Sequence, residues 1–199
     1  PGDPLANAER TLETLRLVHR HHRDLIGCLA TNGLNLPQHA AALHACGVTH
    51  VTVTVNAVDP TIGAGIYRWI RDGDEVLRGE AAARRLLMRQ MAGIRACVAQ
   101  GTTVKVNAIV IPGVNDHHIP AIAEGVAALG ASRCNPIPLK PVAGTPFAGC
   151  GEPAPAAMRA LRKRVADHLP VMAHCARCRA DAVGRLGVDN PPAAKALLE

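Results

Sequence analysis

Short apolar runs with a two-residue period alternate with longer segments of helical period along nearly the whole chain. That alternation restricts the fold to strands joined by crossover helices, the pattern of a parallel sheet. A first helix is read over Asn7–His22, with Leu5, Leu12, Leu15 and Val18 on one face. A strand over Leu25–Ala30 ends at Thr31-Asn32-Gly33, and Pro37 opens a short helix that closes at Gly47. A strand over His50–Val55 leads into Asn56-Ala57-Val58-Asp59-Pro60. The longest helix spans Gly79–Gln100, with Leu87, Met91, Ile94 and Val98 in register and Gly101 as its stop. Strand 104–111, helix 119–129, strand 133–139 and helix 155–169 complete the series.

Two strands say what the sheet is for. Val51, Val53 and Val55 alternate with Thr52, Thr54 and Asn56, and Val104, Val106 and Val110 with Lys105, Asn107 and Ile109. In a barrel wrapped by helices the Val face packs outward and the polar face lines the lumen. Buried hydroxyls and amides need partners, so such a lumen is expected to hold a polar ligand. The alternative is a solvated face of an antiparallel sheet, against which the intervening helices count. With 48 % hydrophobic residues and one each of Trp, Tyr and Phe, the core must be aliphatic. The net charge of +6 is spread along helices without stacking aromatics, which reads as a solvated surface and not as a nucleic-acid interface. No apolar run approaches the roughly 20 residues that cross a bilayer, and no signal peptide is read, so no membrane partner and a cytoplasmic location are expected.

Seven cysteines without a secretion signal point to metal binding or packing, not disulfides. His174-Cys175-Ala176-Arg177-Cys178-Arg179 offers two thiolates to one centre, with flanking arginines favouring the charged form. One such pair is compatible with zinc, an iron–sulfur cluster or a redox dithiol. Cys28 is expected near the C-terminal mouth of its strand, where barrel sites assemble. Cys46 and Cys97 read as core residues, and Cys134 and Cys150 as structural. His19, His21 and His22 close a helix and suit its negative end better than a metal. Asn115 or Asp116 is a plausible N-cap, so that Asp116-His117-His118 is the start of a helix before it is a metal site. There is no Walker loop, dinucleotide-type Gly-x-Gly-x-x-Gly or nucleophile elbow, and no catalytic residue is named.

Taken together, several segments resemble the NifB family of radical-SAM nitrogenase cofactor maturases. Pro1-Gly2-Asp3-Pro4 is similar to that family's Gly-Pro-Gly-Asp-Pro loop, and 28–34 to its Cys-Leu-Ser-Thr-Asn-Gly-Leu. Segments 51–60 and 104–116 read almost as the family does, and 174–184 resembles its His-Cys-x-x-Cys-Arg-Ala-Asp-Ala-Val-Gly. The resemblance implies an α/β fold, a partial (β/α) TIM-like barrel of the radical SAM type with a C-terminal Cys-x-x-Cys tail. It implies that Gly2, Asp3 and Pro4 receive the methionine amino group of S-adenosyl-L-methionine (SAM). Thr54 and Asn56 would contact its methionyl and ribose groups, Ile111 would pack on adenine, and Thr31, Asn32 and Asn107 join the cofactor-binding set. Cys28 would hold one substrate [4Fe-4S] cluster, and Cys175 with Cys178 the other, the two being fused as a carbide is inserted from a SAM methyl group. Partners would be an iron–sulfur cluster donor and downstream cofactor carrier or assembly proteins.

Departures from the family set further expectations. The Cys-x-x-x-Cys-x-x-Cys that ligates the SAM-cleaving cluster is absent, as is any strand before Pro1, so an N-terminal portion is expected to be missing and these 199 residues to be inactive alone. Segment 133–141 diverges from the family's Asn-Ile-Met-Pro-Leu. The expected organisation is a partial barrel over 1–170, a cluster-binding tail over 171–187 and a flexible end over 188–199. The competing assignments are a molybdenum-cofactor-type cyclase and a non-catalytic metal-binding scaffold.

Overall fold

A computed structural model describes residues 2–172. Its centre is a four-stranded parallel sheet of β1 (Gly27–Thr31), β2 (Val48–Thr54), β5 (Thr103–Val110) and β6 (Arg133–Pro138), paired in the order β1-β2-β5-β6. The crossovers are α2 (Leu36–Ala45), then α3 (Pro60–Ile66), a hairpin of β3 (Trp69–Asp72) and β4 (Glu75–Arg78) with α4 (Gly79–Ala99), and finally α5 (Ile119–Ala127). A short 3-10 turn (Pro4–Asn7) and α1 (Ala8–His21) precede the sheet, and α6 (Pro155–Ala166) follows it.

The helices cover one face. Val51, Val53, Val55, Val104, Val106 and Ala108 are at most 1 % exposed and pack in one cluster with Leu36, Leu43, Ile94, Ile119, Ile122 and Val165. The opposite face carries Cys28, His50, Thr54, Lys105, Asn107 and Arg133, all at least partly exposed. The sheet is therefore an arc with one apolar, covered side and one polar, open side, as the alternation in β2 and β5 predicts.

Some elements differ from the sequence reading. β1 starts at Gly27, not Leu25, and Leu25 and Ile26 are exposed. Gly27 sits so close to Gly47 that an added Cβ would lie 2.4 Å from the Gly47 carbonyl oxygen, which fixes the strand start there. The buried stripe of α4 runs through Ala82, Ala83, Leu86, Gln90, Gly93, Ile94 and Cys97, so Leu87 and Met91 flank it instead of forming it. Helix α3 and the β3–β4 hairpin have no counterpart in the sequence reading. Asp59 caps α3 by accepting from the Thr61 amide at 2.7 Å, with Pro60 in the first turn. The hairpin packs Ile70 and Leu77 on Leu34, Ala82, Leu86 and Tyr67, and its Asp72 takes Arg85 at 2.7 Å and Arg89 at 3.1 Å.

β6 is an edge strand built to stay one. Leu139 donates inward to the Val110 carbonyl, whereas Cys134 donates outward to the Pro170 carbonyl at 3.2 Å. The next outward positions are Pro136 and Pro138, which have no amide hydrogen. Among the described residues no helix is long and apolar enough to cross a membrane.

Candidate functional site

The open face is organised in rows by strand register. Cys28 lies beside His50, Thr52 beside Lys105 and then Arg133, and Thr54 beside Asn107 and then Asn135. Neutral amides and a hydroxyl thus occupy the end nearer the C-terminal mouth, and a thiol with cationic side chains the other. Asn135 donates through Nδ2 to Asn107 Oδ1 at 3.3 Å, but its own Oδ1 is enclosed without any donor. Its neighbour on the opposite face, Cys134, is fully buried, and burial pushes its thiol up to about 12.

Two polar side chains hold the mouth together: Gln90, which the sequence reading passed over, and Asn115, which it read as a possible N-cap. Gln90 of α4 is 1 % exposed and donates through Nε2 to the carbonyls of Asn32 and Thr54, both at 2.9 Å. Asn115 is no N-cap: it is fully buried and donates to the carbonyls of Asn56 and Ile109 while its Oδ1 accepts from the Ile111 amide. The helix that follows is capped at His118, without a side-chain bond. Tyr67 lies close to Asn56 and Gln90, and burial raises its phenol pKa. One signal for Gln90 was on the page, because it interrupts the apolar series Leu86–Gln90–Ile94 at four-residue spacing.

The SAM-loop residues expected from sequence fall into a tight network. The Asp3 carboxylate accepts from the Leu5 amide at 2.9 Å, from Thr31 Oγ1 at 2.9 Å and from the Asn32 amide. Asn32 Oδ1 accepts from the Leu34 amide at 2.8 Å. Asp3, Thr31 and Asn32 thereby pin the leading loop to the end of β1, while Gly2 is exposed and Thr11 Oγ1 donates to the Pro4 carbonyl. Asp3 and Asn32 also line a cavity of about 400 Å³ with Asn35, Tyr67, Trp69 and Arg71. A second cavity of about 410 Å³, between the end of β5 and α6, touches none of the expected site residues. Asn56 Oδ1 accepts from the Ile109 amide at 2.9 Å, joining β2 to β5. Ile111, just past β5, is 2 % exposed in a turn closed by Val114 and Asn115; the apolar side chain β5 presents to the open face is Ile109.

Cys28 is exposed and on the open face, but it is the second residue of β1, at the foot of the strand and not at its mouth. It sits three residues before Thr31, about 10 Å along the strand. Cys175 and Cys178 lie outside the described residues. Cys46, Cys97 and Cys134 are buried as core residues, and desolvation takes Cys97 to about 11. His19 packs its ring over Gly47, where an added Cβ would lie 2.3 Å from His19 Nδ1 and where a φ of +82° also favours glycine. His118 accepts the Val58 amide on Nε2 at 3.1 Å, and burial lowers its pKa, so the ring is neutral and structural. Among the described residues no three of His, Cys, Asp and Glu converge as a metal site.

Comparison with known proteins follows from this geometry. A family model described as the radical SAM superfamily matches residues 1–126. FeMo cofactor biosynthesis protein NifB of Chlorobaculum tepidum is 45 % identical over 190 residues, covering 96 % of this chain and 45 % of the relative. The NifB proteins of Klebsiella pneumoniae and Azotobacter vinelandii are 44 % and 42 % identical, each over 96 % of this chain and over 42 % and 38 % of their own lengths. The chain thus spans less than half the length of these curated relatives. A domain of pyruvate-formate lyase-activating enzyme from Bacteroides vulgatus superposes with a TM-score of 0.62 at 13 % identity, covering 86 % of this chain and 94 % of that one, and so shares the fold.

Proposed function

The chain belongs to the radical SAM superfamily and is NifB-like in sequence, and from that premise we propose that it works in FeMo cofactor biosynthesis as part of a maturase. In this reading two [4Fe-4S] clusters are substrates, fused around a carbon drawn from the methyl group of SAM. SAM, when bound, would supply that carbon and, on one-electron reduction by a cluster whose Cys-x-x-x-Cys-x-x-Cys ligands are not among these 199 residues, the radical that activates it. The observation that carries the reading is a single open face bearing neutral polar groups at one end and a thiol at the other, in a chain 45 % identical to NifB.

The residues present fit SAM. Asn135 Oδ1 is an enclosed acceptor with no donor among the described residues, and SAM brings ribose hydroxyls and an ammonium as donors. Thr54 and Asn107 share that row and would orient the nucleoside, while Gln90, Asn56 and Asn115 keep the mouth rigid beneath it. Asp3, Thr31 and Asn32 fix the loop that Gly2 and Pro4 belong to, so the amino end of SAM would meet preset backbone instead of a flexible strand end. Ile109 or Ile111 would supply apolar contact to adenine.

Cys28 would hold one substrate cluster, and Cys175 with Cys178 the other. Chain length supports their meeting at the foot of the sheet. The chain returns to β6 at Pro170, and the five residues from there to Cys175 reach at most about 18 Å. The sheet from β6 to β1 is about 14 Å wide. A cluster donor would act before this step and a cofactor carrier after it.

The test is iron content and product in the full-length protein. Cys28→Ala is expected to lose one cluster's iron and abolish formation of the cofactor precursor, with the fold intact. Full iron retention in that variant, or a product lacking SAM-derived carbon when methyl-labelled SAM is supplied, would sink the assignment. A single zinc on the Cys175–Cys178 pair would instead favour a metal-binding scaffold.

A further inference from the structure

We propose that the foot of the open face is an anion seat, in which Lys105 and Arg133 supply positive charge and His50 a fixed imidazole to the cluster carried by Cys28. The inference rests on the reading of Cys28 as a cluster ligand and adds what surrounds it. Cys28 is beside His50 in the strand register, and His50 beside Thr103; Lys105 follows two residues on, next to Arg133. From Cys28 to Lys105 is therefore roughly 10 Å across the sheet and 7 Å along it. A lysine stem and a cluster a few ångströms wide close that gap.

The charged side chains that the four strands place on this face, Lys105 and Arg133, are both cationic. The four strands of the sheet contain no Asp or Glu, and neither Lys105 nor Arg133 forms an ion pair among the described residues, although Arg84, Arg85, Arg89 and Lys140 all do. Lys105 is only partly exposed, and no carboxylate among the described residues pairs with it. His50 is oriented through Nδ1, 2.9 Å from Thr49 Oγ1, which leaves Nε2 as its unused nitrogen. A thiolate-ligated [4Fe-4S] cluster is an anion. One cysteine is a thin hold on it, and adjacent uncompensated cations raise both its capture rate and its residence.

The full-length protein is compared in a Cys175→Ala, Cys178→Ala background, loaded anaerobically with ferric iron, sulfide and a thiol reductant that brings part of the iron to the ferrous state. Iron that disappears on further substitution Cys28→Ala defines the Cys28-dependent pool. Lys105→Gln with Arg133→Gln should cut the chelator-resistant part of that pool roughly tenfold and flatten the salt dependence of loading, as expected for two lost charges at this range. Lys105→Arg should behave as the parent. The exposed Arg133→Gln alone, which cannot disturb the core, should give a smaller change in the same direction. Unchanged retention and salt dependence in both glutamine variants, or a Lys105→Arg loss equal to that of Lys105→Gln, overturns the seat. A parent with no Cys28-dependent iron overturns the reading of Cys28 itself, and the seat with it.

Discussion

The two faces of the four-stranded sheet are made by the same residues in alternation, yet they live in different solvents. On the helix side Val53, Val106 and Ala108 are fully enclosed, while their strand neighbours Thr54, Lys105 and Asn107 keep part of their surface in water. Aliphatic burial on one side stabilises the fold, so the other side is released from that duty and can carry groups chosen for a guest. The polar positions that do contribute to stability are not on the open face proper. They are the amides that stitch strand ends, Gln90 and Asn115.

Substitutions can break that contrast. Val106→Asp places a charge where no partner exists and should leave no cooperative unfolding transition in urea. Ile94→Ala, on the helix that covers the same face, should cost about 2–5 kcal/mol by the same measurement. Gln90→Leu removes both of its bonds to the Asn32 and Thr54 carbonyls, at a cost of roughly 1–3 kcal/mol. A smaller effect is expected at Asp72, whose carboxylate the Arg85 hydrogen bond holds below its usual range. Because the folded pKa is the lower one, this contribution is present above about pH 4 and fades as pH falls through the folded value. Thermal melts of wild type and Asp72→Asn should accordingly differ at pH 7 and converge in acid. Smallest of all, Thr54→Ala and Asn107→Ala should move stability by no more than about 0.5 kcal/mol. Both should nonetheless weaken SAM binding measured by calorimetry; a large loss of stability with binding retained would erase the distinction between the faces.

β2 and β5 were legible because valines at two-residue spacing leave little alternative, α4, α5 and α6 because apolar residues recur at helical spacing, and α2 because Pro37 and Gly47 bracket it. The hairpin was not. Asp72-Gly73 is a turn signal, but Arg71, Asp74, Glu75 and Arg78 crowd strands of four residues each, and charge hides their period. Of the site, the residue types were readable and their depth was not. Whether Cys28 stands at the head or foot of β1 depends on where the strand begins, and Gly27 against Gly47 decides that through a contact between distant residues. The roles of Gln90 and Asn115 were hidden for a related reason: Gln90 satisfies the carbonyls of Asn32 and Thr54, and Asn115 that of Asn56, all far away in sequence.

The prolines of β6 carry a consequence beyond secondary structure. With Cys134 already engaged by Pro170, and Pro136 and Pro138 without hydrogen to give, that border of the sheet offers carbonyls but, among the described residues, no free amide hydrogen with which another backbone could complete a ladder. On that side, then, the parallel sheet cannot be lengthened by a regular neighbour and ends at the four strands described.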